Sequence, residues 1–245
     1  MTGRTVNFTL TEPQREFVLS DARHPGLAAG YGSGKSQAGV VRILTLALQY
    51  PGLSFAFVEP TFDLVRLIAW PRFEEILTAS KMRYKLNKSE SILYLFNGSK
   101  IIFRSADNPE RLVGFEVADA LIDEADVITE VKAQEVWVKM IGRARQRKPD
   151  GKHNTVACVS TPEGFRWLYR TFVTDVKPGY QLIRAATYSN PYLPDHYIDT
   201  LRATYPPRLI EAYLEGQFVN LTSGSVYPHF DRVENHTDLQ LRPAE

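Results

Sequence analysis

The stretch "AAGYGSGKSQ" (residues 28–37) places three glycines at alternate positions and follows them with a Lys-Ser pair. An apolar run that reads as a strand, "GLAAG" (26–30), leads into it, and a helical pattern, "SQAGVVRILTLALQY" (36–50), leads out of it. A glycine-rich turn between a strand and a helix is the setting of a P-loop, whose backbone N–H groups surround phosphate oxygens. The helix N-terminus adds the positive end of its dipole at the same place. The stretch therefore predicts a phosphate-binding turn inside an α/β fold.

The residues of this turn predict how a nucleotide would be held. Lys35 would reach the β- and γ-phosphates of ATP, and the Ser36 hydroxyl would ligate Mg²⁺. Because Ala29 replaces the first glycine, the chain has the A-x-x-G-x-G-K-[ST] form rather than the strict G-x-x-x-x-G-K-[ST] pattern. A glycine-rich turn that merely begins an ordinary helix is the alternative interpretation. The candidate phosphate-contacting residues are Gly30, Gly32, Ser33, Gly34, Lys35 and Ser36.

A pair of carboxylates forms the second half of the predicted site. "ALIDEA" (120–125) is an apolar strand that ends in Asp123 and Glu124. Since the carboxyl ends of parallel strands meet at one edge of a sheet, both acids should lie beside the P-loop. Asp123 would hold Mg²⁺ directly or through water, and Glu124 would polarise the attacking water as a general base. Two acids at a helix start, favoured by the helix dipole, are the alternative. The next acid, Asp126, is interpreted as a solvated surface residue.

Two further stretches supply candidate nucleotide contacts. Gln14 lies upstream of the P-loop, where a glutamine can read the hydrogen-bonding edge of adenine. Thr11-x-x-Gln14 also fits a capping box, and the two roles are compatible. "VSTPEG" (159–164) ends a predicted strand, so Ser160 and Thr161 would sense the γ-phosphate, unless they form a plain strand-to-helix turn.

The overall charge limits what the chain can bind by electrostatics alone. Its 245 residues have a net charge of +1, whereas proteins that hold nucleic acid passively are usually more basic. Contact with DNA or RNA should therefore be local, transient or shared between subunits; "RARQRK" (143–148) is a candidate, and a solvated charge run is an equal alternative. The single cysteine, Cys158, excludes a disulfide framework within the chain. Without a signal peptide or an apolar run of about 18 residues, we expect a soluble cytoplasmic protein without membrane contact.

Short apolar runs alternate with helical patterns, which predicts an α/β fold with a mostly parallel central sheet flanked by helices. One segment differs: in "SILYLFNGSKIIFRSA" (91–106) two apolar runs flank Asn97-Gly98, which predicts a hairpin with a type I′ turn. Prolines interrupt the pattern after Asn190, and two short helices follow. We therefore predict a core (1–190) and a small C-terminal helical linker segment (191–245). The predicted strands are residues 26–30, 54–59, 100–106, 119–123, 154–160 and 180–186, and the longer predicted helices are residues 36–50, 61–77, 130–144 and 164–174.

These motifs resemble those of a superfamily-two helicase, which is one interpretation of the function. A helicase needs a second RecA-type domain of ~150 residues, and little more than half of that length follows "STPEG". The arginine-rich H-R-x-G-R helicase motif is also absent from the sequence. The helicase-like stretches are the P-loop, "EPT" (59–61) for the helicase P-T-R-E, "DEAD" (123–126), and "STP" (160–162) for the helicase S-A-T.

The same residues resemble the ATPase domain of a viral large terminase, the motor that pumps DNA into phage procapsids. The match extends over nearly the whole chain and includes stretches that helicases lack. The stretches that resemble the family's adenine, nucleotide and ATPase coupling motifs are "LTEPQREF" (10–17), "GYGSGKS" (30–36), "ALIDEAD" (120–126) and "VSTPEG" (159–164). Those that resemble its exit towards a nuclease domain are "YSNPYLPDHYIDTL" (188–201), "YLEGQFVN" (213–220) and "GSVYPHFD" (224–231).

The terminase resemblance implies a RecA-type P-loop core of the glutamate-switch class that hydrolyses ATP with Mg²⁺. It also implies a pentameric ring on the capsid portal, with double-stranded DNA moving through the ring. A small terminase subunit would be a further partner, and the host cytoplasm the place of work. The family's nuclease domain would lie beyond Glu245, so we expect no DNA cleavage by this part of the protein.

The same resemblance bears on the arginine that completes such sites. Tyr31 stands where many terminases carry an arginine within the P-loop, which puts an arginine supplied from that loop in doubt. Arg111, in a predicted loop, is therefore the candidate for a finger inserted into a neighbouring subunit's site. Arg143 and Arg145 are the runners-up, and a surface arginine paired with Glu110 or with solvent is the alternative.

Overall fold

A computed structural model of the protein describes residues 9–194 and 196–221. Its described strands form one sheet in the order β3-β4-β5-β2-β6-β7-β1-β8. The strands are β1 (His24–Ala29), β2 (Ser54–Glu59), β3 (Tyr84–Asn87), β4 (Ile92–Leu95), β5 (Lys100–Ser105), β6 (Asp119–Asp123), β7 (Val156–Ser160) and β8 (Tyr180–Ala185). The α-helices are α1 (Glu12–Leu19), α2 (Lys35–Gln49), α3 (Phe62–Leu64), α4 (Trp70–Ala79), α5 (Glu130–Arg143), α6 (Trp167–Tyr169), α7 (Tyr197–Thr204) and α8 (Pro207–Tyr213).

The sheet is mostly parallel, as predicted. The strands β5, β2, β6, β7, β1 and β8 run parallel to one another, whereas β4, near one edge, is antiparallel to both β3 and β5. The carboxyl ends of β1, β6 and β7 therefore meet at the same edge, with β7 between the other two. This order brings the turn after β1, the acids that end β6 and the loop after β7 together.

Both faces of the sheet are covered. Every residue of β1, β6 and β7 is buried, which explains why these strands read as continuous apolar runs in the sequence. Alternate residues of each strand join one of two hydrophobic clusters. One cluster lies under α2 and α4 and includes Phe57 and Phe73; the other lies under α5 and includes Trp137.

The predicted hairpin forms, but its turn differs from the prediction. Gly98 has a φ of 86°, whereas Asn97 does not have the positive φ that a type I′ turn requires. The Gly98 N–H donates to the Leu95 carbonyl at 3.0 Å, and the Leu95 N–H donates to the Ser99 carbonyl at 2.9 Å. These bonds define a three-residue loop that ends in a left-handed glycine. The Asn97 amide instead donates to the Ala47 carbonyl at 2.8 Å, which ties the turn to α2.

Two predicted helices contain π-helical turns that the sequence pattern did not indicate. Between α3 and α4, Val65–Ala69 is π-helical, and the Trp70 N–H reaches back five residues to the Val65 carbonyl. Pro71 follows directly and lacks an N–H, so the ordinary four-residue ladder cannot continue there. A second π-helical turn, Arg170–Thr174, follows α6.

The segment after Asn190 contains the two short helices that the sequence predicts, α7 and α8. The predicted boundary near residue 190 stays a prediction, and "GSVYPHFD" (224–231) lies outside the described residues. In the two described ranges, no helix combines the length and apolar character needed to cross a membrane.

Candidate active site

The two halves of the predicted site meet at the carboxyl edge of the sheet. The Lys35 ammonium, at the start of α2, lies 2.9 Å from Glu124 Oε1, just after β6. Lys35 is 8% exposed, so this ion pair is largely shielded from solvent. The cation and the carboxylate come from stretches almost ninety residues apart in the sequence, and the fold joins them directly.

The P-loop takes its shape from backbone conformations that favour glycine. Gly32 and Gly34 have φ values of 73° and 81°, in the left-handed region, and Gly34 is the N-cap of α2. The Ser33 hydroxyl donates to the Gly30 carbonyl at 2.6 Å and closes the turn. Gly30 is required for a different reason: a Cβ there would come within 2.7 Å of the Tyr213 carbonyl oxygen. The turn is therefore built both for phosphates and for close approach of the C-terminal segment.

The backbone conformation of Glu124 and two hydrogen bonds orient its carboxylate. Its φ is 48°, a left-handed conformation that costs a residue with a Cβ about 1–2 kcal/mol. The Glu124 N–H donates to Asp123 Oδ1 at 2.9 Å, and Glu124 Oε2 accepts from the Thr161 N–H at 3.3 Å. These contacts direct the carboxylate towards Lys35.

The site contains a third acid, which is buried and which the sequence analysis missed. Glu59, the last residue of β2, is 1% exposed, and its Oε1 has no hydrogen-bond partner in the described part of the chain. Burial and the neighbouring Asp123 raise the pKa of Glu59 to about 9. The available signal was an acid that ends the apolar run "SFAFVE" (54–59), in the same position as Asp123 in its own strand.

Asp123 and Ser36 fit the predicted magnesium site. The Asp123 carboxylate is 1% exposed and hydrogen-bonds the Ser36 side chain. Burial and the Glu124 charge raise the pKa of Asp123, while the Lys35 ammonium opposes that shift. Residues 9–194 and 196–221 contain no group of three or more Cys, His, Asp or Glu that could hold a metal alone. The donors therefore suit Mg²⁺ that arrives with phosphate oxygens, since that ion is commonly held by one or two carboxylates plus substrate phosphates.

Gln14 braces the P-loop in this structure. Its Nε2 donates to the Ser33 carbonyl at 2.8 Å, and its Oε1 accepts from the Thr11 N–H at 3.0 Å. The glutamine half of the predicted capping box is thus formed, and the same amide connects α1 to the P-loop. Contact between Gln14 and adenine stays a prediction.

The prediction that Asp126 is a solvated surface acid was wrong. Asp126 is fully buried, and its two carboxylate oxygens accept from the N–H groups of Glu163 and Leu168, both at 2.9 Å. The chain turns back into the core after Glu124 instead of leaving it. Asp126 therefore fastens the segment after β7 to the segment after β6.

Ser160 and Thr161 differ in how free their hydroxyl groups are. Ser160 Oγ accepts from the Asp126 N–H at 3.0 Å and donates to the Thr161 carbonyl, so it holds this loop together. Thr161 Oγ1 is buried and has no hydrogen-bond partner among the described residues. Of the two, only Thr161 has an uncommitted side-chain group beside Glu124.

Tyr31 connects the P-loop to the C-terminal segment. Its N–H donates to the Tyr213 carbonyl at 2.6 Å, and the two aromatic rings lie 4.6 Å apart. The Tyr213 hydroxyl in turn donates to Glu163 Oε2 at 3.2 Å. On its other side, the Tyr31 ring lies 5.7 Å from the Lys35 ammonium. A continuous set of contacts therefore joins the P-loop, α8 and the loop after β7.

The candidate arginines occupy different surroundings. Arg111 is exposed on a 3₁₀ turn, Pro109–Arg111, and no salt bridge joins it to Glu110 in the part that the structure describes. It lines a groove of about 540 Å³ together with Arg104. The runners-up are more constrained, because Arg145 pairs with Glu116 at 2.6 Å and the Arg143 Nε is buried.

A strand–P-loop–helix unit beside an acidic pair on a nearby parallel strand defines an α/β domain of the RecA-like P-loop class. The chain belongs to the family described as "Terminase large subunit, T4likevirus-type, N-terminal", whose sequence profile matches residues 27–233. It is 28% identical over 230 residues to the PBSX phage terminase large subunit of Bacillus subtilis (strain 168). That alignment covers 84% of this chain and 51% of the relative, so the chain spans about half the length of this curated relative.

Solved structures of phage large terminases share the fold. The Thermus phage P74-26 large terminase ATPase domain superposes with a TM-score of 0.64 at 20% identity, covering 86% of this chain and 95% of that domain. A large terminase from a thermophilic bacteriophage gives a TM-score of 0.75 at 16% identity, covering 93% of this chain and 58% of that protein. A structure of the same thermophilic phage terminase in complex with ADP gives 0.73 at 18% identity, covering 96% and 60%. The terminase resemblance and the RecA-type fold are thereby confirmed, and the helicase interpretation is not favoured.

Proposed function

We propose that this chain is the ATP-hydrolysing motor domain of a phage large terminase and that it drives double-stranded DNA into a procapsid. The observation that carries the proposal is the ion pair between the buried Lys35 and the partly exposed Glu124 beside Asp123, in a chain of the terminase family. A cation for phosphates and a carboxylate for water are the two groups that hydrolysis of a phosphoanhydride needs. The thermophilic phage terminase has been solved with ADP and with ATP-gamma-S, which supports the same class of ligand here.

Lys35 and the P-loop amides would bind the β- and γ-phosphates, and Asp123 and Ser36 would hold Mg²⁺. When bound, Mg²⁺ would neutralise charge on the phosphate oxygens. Entry of the γ-phosphate would draw the Lys35 ammonium away from Glu124. The freed Glu124 carboxylate would then accept a proton from the attacking water. The ion pair with Lys35 would therefore prevent Glu124 from acting as a base until the γ-phosphate binds Lys35.

Three further residues have proposed roles in this site. Thr161, with its uncommitted hydroxyl, would sense the γ-phosphate and pass its loss to the loop after β7. Gln14 would contact the adenine edge in addition to bracing the P-loop. Arg111 would act in the site of a neighbouring subunit, where it would stabilise charge on the γ-phosphoryl oxygens. Its exposure and freedom from ion pairs within the described residues support that choice.

The partners of the whole protein follow from the same proposal. They are double-stranded DNA, the portal of the procapsid, a small terminase subunit, and further copies of the chain in a pentameric ring. The site of action would be the host cytoplasm.

Turnover of Mg-ATP tests the proposal directly. We expect ATP hydrolysis that rises with protein concentration, because assembly brings in the neighbour's arginine, and that responds to linear duplex DNA. A labelled duplex should not be separated into strands. Absence of ATP hydrolysis at every concentration would contradict the proposal, and strand separation stimulated by single-stranded nucleic acid would favour a helicase.

A further inference from the structure

One small region of this nearly neutral chain carries a clear excess of positive charge. Residues 81–100 contain five lysines and arginines against one acid, Glu90, whereas the whole chain has a net charge of +1. This region comprises the hairpin of β3 and β4 and the first residue of β5. Electrostatic contact with a polyanion therefore has a defined place on the molecule.

The register of the strands gathers these charges on one face. Lys85 on β3 pairs with Tyr94 on β4, and Tyr94 pairs with Lys100 on β5. Residues paired across neighbouring strands point to the same side of a sheet, so the three side chains form a row across the edge. Strand spacing puts the Cα atoms of Lys85 and Lys100 ~10 Å apart. We call Lys85, Tyr94 and Lys100, together with the hairpin tip at Phe96, the hairpin face.

The side chains on the two faces of these strands differ in solvent exposure. The alternate residues Leu93 and Ile101 are fully buried in the core. Both lysines of the hairpin face are exposed, and Phe96 is 55% exposed at the tip. The Lys100 ammonium lies 5.8 Å from the Tyr94 ring. The Tyr94 hydroxyl donates to Glu90 Oε2 at 2.8 Å, so the face combines two exposed lysines and apolar surface with one neighbouring acid.

The other basic run, "RARQRK", is partly committed to the fold, and within the described residues only Arg147 of the run is both exposed and outside a salt bridge. Lys148 is buried, with its ammonium 2.8 Å from Asp119 Oδ1. Arg145 pairs with Glu116. By contrast, the lysines of the hairpin face have no carboxylate partner within the described residues.

We propose that the hairpin face binds the phosphate backbone of duplex DNA. Lys85 and Lys100 contact phosphates of the duplex, while Tyr94 and Phe96 pack against its sugars. Contacts of this kind hold the duplex without reading its sequence, as translocation along arbitrary DNA requires. The proposal rests on the proposed function, because it places one of that function's partners on the surface.

A different explanation of the exposed lysines must be tested against this one. Lysines on an edge strand also prevent unwanted pairing with other strands, and β3 is such an edge. That role predicts no change in DNA affinity when charge is removed. It also does not account for Lys100, which lies two strands in from the edge.

The test is the salt dependence of binding to a fluorescein-labelled duplex of random sequence. Each phosphate contact contributes about 0.9 to the slope of log affinity against log salt concentration. The double variant Lys85→Gln/Lys100→Gln should therefore lower the slope by roughly two and weaken binding at low salt. The matched control is Lys152→Gln/Lys177→Gln, which removes two exposed lysines from other loops and should leave the slope unchanged. Phe96→Ala should weaken binding with no change in slope.

Thermal unfolding and ATP turnover of each variant check that the fold and the active site are intact. Equal slopes for the parent and the first double variant would overturn the proposal, as would a parent that does not bind the duplex or prefers a single strand. ATP turnover in the parent is judged separately. A chain that hydrolyses ATP but fails the slope test would contradict the hairpin face alone, whereas a chain that passes the slope test without hydrolysis would contradict the proposed function.

Discussion

Lys35 and Glu124 form an ion pair, and substitution of Glu124 alone separates the roles of the two charges. Glu124→Gln keeps the shape of the side chain but removes its ability to accept a proton. We expect this variant to bind Mg-ATP about as well as the parent and to hydrolyse it roughly 10²–10⁴ times more slowly. Binding of a fluorescent ATP analogue and steady-state phosphate release are the measurements. Near-native phosphate release by Glu124→Gln would assign the base to another residue.

Asp126 should respond differently from Glu124, because it binds protein atoms and not substrate. Asp126→Asn would turn an amide NH₂ towards the N–H of either Glu163 or Leu168. We expect the free energy of unfolding to fall by about 1–3 kcal/mol, the cost of an unsatisfied buried donor. Urea unfolding measures it, with Asp107→Asn, an exposed acid, as the control. A stable but inactive Asp126→Asn would argue instead for a direct catalytic role.

Glu59 gives the site a pH dependence of known sign. Its pKa is raised from 4.5 to about 9, so the folded state keeps a proton that the unfolded state loses. The contribution of Glu59 to stability is therefore complete below pH 4.5 and declines as the pH rises towards 9. Glu59→Gln carries no titratable proton and should be stabilised relative to the parent increasingly across that window. Thermal unfolding in EDTA at several pH values measures the difference, and Glu75→Gln, exposed on α4, is the control. A difference that does not vary with pH would mean that Glu59 is ionised in the folded protein.

The sequence revealed most of these residues but could not distinguish neighbours with opposite surroundings. Asp123 and Glu124 were found because an acid that directly ends an apolar strand must lie at the sheet edge. Asp126 was misjudged because its environment depends on the turn of the backbone at Glu124, and its partners Glu163 and Leu168 are about forty positions away in the sequence. Ser160 and Thr161 were both predicted to be sensors from their motif, and only the packing distinguishes the free hydroxyl of Thr161 from the bonded one of Ser160.

Among the secondary-structure elements, helix α8 makes the contact with the P-loop that can be tested most directly. Tyr213→Phe removes the hydroxyl that binds Glu163 and keeps the ring contact with Tyr31. We expect backbone amides of residues 160–168 to exchange with deuterium faster, by the ~0.5–1.5 kcal/mol that one hydrogen bond contributes. ATP affinity should remain close to that of the parent. Tyr192→Phe, at a residue 69% exposed, is the control. Unchanged exchange in residues 160–168 would show that α8 does not brace that loop.

Helices and strands were predictable from the sequence where a single local pattern determined their type and their ends. The parallel strands appear as continuous apolar runs because both of their faces are buried, and α7 and α8 are separated by prolines that fix their ends. The π-helical turn at Val65–Ala69 was missed because it depends on how a helix accommodates Pro71 while keeping Trp70 in the core. Strand β3 was missed as well, because four residues of alternating character are too few to distinguish a strand from a loop.

For the whole molecule, the sharpest prediction concerns two inactive variants that rescue each other. Arg111→Ala has an intact nucleotide site but donates no arginine, and Glu124→Gln donates its arginine but cannot hydrolyse ATP. Each alone should be nearly inactive, since an arginine finger contributes roughly 10³–10⁵ in rate. Mixed under conditions that allow assembly, some intact sites should receive an arginine, and part of the activity should return. No recovery in mixtures whose assembly is confirmed by light scattering would remove Arg111 from the site, and Arg143→Ala and Arg145→Ala would be tested next.

The left-handed backbone conformation of Glu124 affects any attempt to increase the thermal stability of this protein. Glycine adopts a φ of 48° without strain, and asparagine tolerates it better than glutamate does. Either replacement would also remove one of three neighbouring acids, Glu59, Asp123 and Glu124. Asp123 would remain to balance the charge of Lys35. Laboratory evolution that selects for thermal stability alone would therefore favour glycine or asparagine at position 124. The selected variants would be stable but unable to hydrolyse ATP. Screens for robust variants should score turnover alongside melting temperature, or hold residue 124 constant.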